Sequence, residues 1–146
     1  MAKIKLLTDS ACDITKEQEE AFDIQVVPFK VAMGDKSYVS RVDFDNEKFY
    51  KIMDEFDGLP ATSQITVFEY EEIFEKIFAD GYTDIINVTI NTEGSATYGN
   101  AVMAADNFFK SHPELKDECH IYNIDSQGYT GGYGFPILQA AAKIKR

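Results

Sequence analysis

Apolar residues along this chain fall either into short continuous runs or at helical spacing, and polar loops separate the two kinds of segment. Ile4 to Leu7 is a short apolar run that ends in Thr8-Asp9-Ser10, the shape of a buried strand feeding a loop. Glu17 to Phe22 reads as a short helix behind the capping residues Asp13-Ile14-Thr15. A second strand covers Ile24 to Lys30, broken at Pro28, and Val31 to Val39 reads as a hairpin about Gly34-Asp35-Lys36. Asp45 caps a helix with Phe49, Ile52, Met53 and Phe56 on one face, and Gly58 stops it. Leu59 to Gln64 reads as a loop. Thr66 caps a periodic helix predicted to turn Phe68, Ile73, Phe74, Ile77 and Phe78 inward and Glu69, Glu71, Glu72 and Glu75 outward. Asp84 to Ile90 is the clearest strand, followed by a loop over Asn91–Gly94 and a helix over Ser95–Lys110. Cys119 to Ile124 is a further strand, and Gly131-Gly132-Tyr133-Gly134 opens an alanine-rich helix to Lys145.

Strand, loop and helix thus recur four times. Near-continuous apolar strands of this kind predict a three-layer α/β domain around a mostly parallel central sheet. In such sheets ligands lie beyond the carboxyl ends of the strands, where strand order reverses. Three polar loops collect at that edge: Thr8-Asp9-Ser10, Asn91-Thr92-Glu93-Gly94-Ser95 and Asp125-Ser126.

Composition narrows the function. With 146 residues, 45% of them hydrophobic and 27% charged, the chain can bury one core and is not disordered. No apolar run approaches the ~20 residues of a bilayer span, and the first residues lack a signal peptide's apolar core; a soluble, cytoplasmic protein is expected. The net charge of −11 opposes nucleic acid and anionic membranes, and no basic patch offsets it. The acidic stretches Asp43–Asp57 and Glu69–Glu75 read as solvated helix faces. Cys12, Cys119, His112 and His120 lack the paired spacing of a zinc site, so no metal is expected, and both cysteines read as small buried hydrophobes.

Hydroxyl-rich loops at helix starts offer donors to an anion. Gly94-Ser95 suits one best, and Glu93 beside it favours a single carboxylate over a polyphosphate. Taken alone, Ser95 reads as an ordinary helix cap. An enzymatic alternative stays open: a phosphotransfer domain using Asp9, or a small hydrolase using Ser95 or Ser126. Nucleotide fingerprints are missing, since Gly131–Gly134 has neither dinucleotide nor P-loop spacing.

Five segments occur in a telling order: Thr8-Asp9-Ser10-Ala11-Cys12-Asp13-Ile14, Val27-Pro28, Pro60-Ala61-Thr62-Ser63-Gln64, Ile90 through Ser95-Ala96-Thr97-Tyr98 to Ala101, and Asp125-Ser126 before a glycine-rich helix start. Together they resemble the DegV family. That resemblance implies a two-domain bacterial protein that binds a long-chain fatty acid and presents its carboxylate to a separate fatty acid kinase. The kinase makes the acyl-phosphate from ATP, so the DegV-type protein is a carrier with no catalytic residue and no cofactor beyond its lipid. The family's Pro-x-Thr-Ser-Gln places a carboxylate-contacting threonine at Thr62. Its Ser-Ser-x-Leu-Ser-Gly-Thr-Tyr falls on Asn91–Tyr98, with the second serine replaced by Thr92, the leucine by Gly94 and the glycine by Ala96. The resemblance therefore assigns the carboxylate to Thr62, Thr92 and Ser95 with backbone N–H groups at Gly94, and the rim to Ser10, Ser63, Asp125 and Ser126. The family's Tyr-x-Asp-Gly turn is here Tyr38-Val39-Ser40-Arg41, and Arg41 reads as a solvated surface residue. Family members run to nearly twice this length, so residues 1–146 are expected to be the N-terminal domain of a fragment without its C-terminal lipid-binding domain. Apolar surface left uncovered in such a half predicts a homodimer.

Overall fold

A computed structural model describes residues 1–145. In chain order the elements are β1 (Ile4–Asp9), a 3-10 turn (Ser10–Cys12), α1 (Lys16–Phe22), β2 (Ile24–Val27), β3 (Lys30–Met33), β4 (Lys36–Val39), α2 (Asn46–Glu55), β5 (Ala61–Ser63), α3 (Val67–Ala79), β6 (Asp84–Thr89), α4 (Thr97–Ser111), a second 3-10 turn (Pro113–Leu115), β7 (His120–Asp125) and α5 (Gly131–Ile144). Helix starts follow their polar caps. Thr15 and Thr66 each close a capping box with the residue three positions on, and Asp45 accepts the Lys48 N–H. Caps of this kind contribute about 1 kcal/mol each.

Four strands form a parallel sheet in the order β2-β1-β6-β7. Alternation along the central strands sends Leu7 and Ile85 to one face, under α3 and α4, where Tyr70, Phe74, Ile77 and Phe108 complete a core. Leu6 and Ile86 point to the opposite face, where Ile14, Tyr133, Ile137 and Ala141 join them beneath α1 and α5. Ala101 and Ala104, both fully buried, let α4 lie close on its face of the sheet. The expected three-layer α/β domain is therefore what the chain adopts. The strand order reverses between β1 and β6: α1 carries the chain outward to β2 on one side and α4 to β7 on the other.

Between β2 and α3 the chain builds a second, antiparallel sheet in the order β4-β3-β5, covered by α2. Phe49, Ile52, Met53 and Phe56 pack there on Val31, Met33 and Phe44, as their spacing predicts. Three sequence expectations need correction. Residues 61–63, read as loop, form β5, because backbone pairing with β3 holds an exposed polar segment that carries no hydrophobic period. Phe68 is 65% exposed, and Tyr70 takes the inward position in the series Tyr70, Phe74, Ile77 that faces the sheet. The fourth helix begins at Thr97, two residues later than its small residues suggest. Cys12 and Cys119 are buried free thiols as expected, and burial pushes the Cys12 thiol up to about 11.

The first turn of α5 lies directly on the Cys12 carbonyl, and a Cβ at Gly134 would overlap that backbone oxygen. Gly134→Ala is expected to cost about 1–3 kcal/mol by overpacking. Gly99→Ala, in α4 and facing open space, is expected to gain up to ~1 kcal/mol from helix propensity. Urea denaturation of the two variants checks both signs.

Candidate functional site

Strand β1 ends in Thr8 and Asp9, both fully buried. The Asp9 carboxylate draws three segments together: it accepts the Ile90 N–H at 2.7 Å and the Ala11 N–H at 3.2 Å, and the Tyr133 hydroxyl donates to it at 2.5 Å. Burial raises its pKa above the ordinary aspartate value, and these three donors only partly offset the effect. Asp9 thus fixes the point where the loop after β6 leaves the sheet.

The amides of residues 91–94 find acceptors within that loop and on the turn after β7. The Asn91 N–H donates to the Gly128 carbonyl at 3.1 Å, Thr92 to Asp125 Oδ1 at 3.1 Å, Glu93 to Asn91 Oδ1 at 3.0 Å and Gly94 to the Asn91 carbonyl at 3.1 Å. The expectation of a Gly94 N–H aimed at a ligand is therefore corrected: that donor closes a turn. Gly94 instead provides room, since a Cβ there would meet the Tyr129 hydroxyl.

Hydroxyl groups remain. Those of Thr62, Ser63 and Thr92 make no hydrogen bond among the described residues, and all three residues are exposed. Ser95, half-buried, places its Oγ 2.9 Å from Thr97 Oγ1 and accepts the Thr97 N–H at 3.2 Å. The helix begins at Thr97, two residues beyond Ser95, behind an Ala96 N-cap without a side-chain cap bond. Thr97, fully buried, accepts the Ile65 N–H at 3.3 Å, and Asn100 Nδ2 donates to the Ile65 carbonyl at 2.8 Å. This clamp pins the corner between β5 and α3 to the start of α4. Thr62 precedes Ile65 by three residues, a reach of about 10 Å. Thr97 and Asn100 escaped the sequence reading as parts of the site. Thr97 lies in the segment Ser95-Ala96-Thr97-Tyr98, but its partner Ile65 lies 32 positions away.

The rim residues are engaged with the protein. Ser10 Oγ accepts the Phe29 N–H at 2.9 Å, Asp125 Oδ1 also takes the Gln127 N–H at 3.0 Å, and Ser126 Oγ closes a turn with Gly128. Ser63 sits on β5 opposite Lys30. Arg41 is not solvated as expected: it donates to the Ile14 carbonyl and to Glu19, both at 2.6 Å, and clasps the antiparallel sheet to α1. A cleft of ≈ 720 Å³ beside it includes Ser10, Ile14 and Phe44 but none of Thr62, Thr92, Gly94 or Ser95.

The enzymatic alternative finds little support in this geometry. Asp9 is sealed from solvent with both oxygens occupied. His120 pairs with Asp84 at the amino end of the sheet, and His112 meets Glu75 beyond the far end of α4, so neither imidazole serves Ser95 or Ser126. No three His, Cys, Asp or Glu side chains cluster for a metal among the described residues. No helix among them is long and apolar enough to cross a membrane.

Because burial raises the Asp9 pKa, the folded chain holds that proton to higher pH than the unfolded chain does. Stability therefore falls as pH rises from the ordinary value near 3.8 through the raised one. Asp9→Asn is expected to lack this slope in denaturation series. Tyr133→Phe removes a donor that lowers the pKa, so the Asp9 carboxyl midpoint, read by 13C NMR, moves further up, with about 1–3 kcal/mol lost from stability.

Comparison with known proteins agrees with this frame. The family model described as "Uncharacterised protein, DegV family" matches residues 3–146. A DegV domain-containing protein of Clostridium acetobutylicum is 37% identical over 140 residues, 96% of this chain and 47% of its own length. The stearic acid-binding protein of Eubacterium ventriosum superposes with TM-score 0.84 at 30% identity, over 99% of this chain and 48% of its own. DegV of Bacillus subtilis, described as a fatty acid binding protein, gives 0.86 at 27% identity over the same shares. The chain spans about half the length of the relatives it matches. Since the match runs through every strand of the parallel sheet and every loop at its carboxyl edge, this chain belongs to the DegV family.

Proposed function

We propose that this chain supplies the head-group side of a fatty acid carrier. The hydroxyls of Thr62, Thr92 and Ser95 hold the carboxylate of a long-chain fatty acid, and Gly94 leaves room for the Tyr129 hydroxyl. Ser10, Ser63, Asp125 and Ser126 shape the rim. The observation that carries this reading is the clamp from Thr97 and Asn100 to Ile65, which brings two hydroxyl-bearing segments, far apart in sequence, to one helix start. The fatty acids named for the E. ventriosum and B. subtilis relatives point to the same ligand class.

Neutral donors suit a carrier, because they hold an anion without a buried countercharge and keep the carboxylate available for reaction elsewhere. In this reading a fatty acid kinase converts the presented carboxylate to acyl-phosphate, and the chain itself does no chemistry. The acyl tail contributes ~0.8 kcal/mol per buried methylene, and a second domain would provide most of that burial. Where that domain is missing, the exposed side chains Tyr122, Ile124 and Phe135 would pair two copies of the chain, which sedimentation at micromolar concentration checks.

Calorimetric titration with oleate tests the head-group assignment. Thr62→Ala and Ser95→Ala each remove a hydrogen bond to a charged group, about 1.5–3 kcal/mol, and are expected to weaken binding roughly ten- to a hundredfold. Unchanged affinity in both variants refutes the assignment.

A further inference from the structure

The hydroxyl pair at the start of α4 has a defined proton order. Ser95 Oγ already accepts the Thr97 N–H, Thr97 Oγ1 already accepts the Ile65 N–H, and the two oxygens lie 2.9 Å apart. One hydroxyl proton sits between them, and the other must point elsewhere. If Ser95 donated, the Thr97 proton would be stranded in a fully buried position with no other acceptor among the described residues. If Thr97 donates, its proton is satisfied by Ser95. The remaining proton is then that of Ser95, which is half-buried and makes no hydrogen bond beyond those with Thr97 among the described residues. Buried polar groups take the arrangement that leaves none unpaired.

We infer that Thr97 is the positioning residue of the site, donating to Ser95 Oγ so that the Ser95 hydroxyl presents its proton to a ligand carboxylate. This deepens the proposed carboxylate site and rests on it. Thr97 touches no ligand and acts wholly through Ser95. With the Thr97 donor gone, the Ser95 hydroxyl rotates among several directions and is no longer fixed as an outward donor.

The test is a double-mutant cycle on the purified chain, with octanoate as a soluble probe and amide NMR shifts as the readout, which follows millimolar binding. Ser95→Ala is expected to raise the dissociation constant about tenfold, and Thr97→Val severalfold. The double variant binds no more weakly than Ser95→Ala alone, because a residue that acts only through Ser95 has nothing left to do. Thr97→Ser restores the donor and keeps wild-type affinity. Should Thr97→Val fail to fold once Ile65 loses its acceptor, Thr97→Cys, a poor donor of similar size, takes its place in the cycle. Wild-type affinity in Thr97→Val, or losses that multiply in the double variant, overturns the positioning role and leaves the carboxylate site standing. No saturable shift in the wild type, or none lost in Ser95→Ala, overturns the carboxylate site and this inference with it.

Discussion

A carboxylate sealed from water must find its donors within the protein, and the burial of Asp9 imposes that demand at the one place where the sheet changes direction. Its oxygens take the amides of Ile90 and Ala11 and the hydroxyl of Tyr133. Those partners belong to the loop after β6, the turn after β1 and the first turn of α5. Removing one side of such a network leaves a buried charge short of donors, which costs more than the lost bond itself. The Gly134 contact with the Cys12 carbonyl shows how closely α5 must approach for Tyr133 to reach Asp9.

The character of the proposed carboxylate site follows from that anchoring. Once Ile90 is held, the amides of Asn91, Thr92, Glu93 and Gly94 all find acceptors within the loop or on the neighbouring turn. Those four amides are therefore not available to an anion-binding nest, which needs several N–H groups pointing outward. The alcohol groups of Thr92 and Ser95 stand beside them as side-chain donors. The proposed carboxylate site is of the same ligand class as the fatty acids named for the structural relatives. The net charge of −11 points the same way, since a polyanion would meet far more repulsion than a single carboxylate.

Much of this was legible in the chain because the parallel sheet rests on periodicity. Ile85, Ile86 and Val88 announce a strand, Phe49 to Phe56 a helix face, and Thr15, Asp45 and Thr66 the helix starts. Elements held by backbone pairing alone left no such trace: β5 carries Ala61-Thr62-Ser63, with no apolar residue larger than alanine to mark it. Phe68 misled for the opposite reason, since an aromatic at near-helical spacing looks inward although the sheet lies along the Tyr70 side. Arg41 read as surface until folding set it against the Ile14 carbonyl and Glu19.

For the site itself, the sequence supplied the residue types and their order, because loops after apolar strands are recognisable locally and the five ordered segments carry the family resemblance. Folding alone decided which groups remain available. Whether Gly94 keeps its amide, whether Thr97 faces Ser95, and whether Ile65 meets the start of α4 all depend on partners up to 35 residues apart. A hydrogen bond satisfies a donor only once distance and angle are set, and those are properties of the packed chain rather than of the order of its residues.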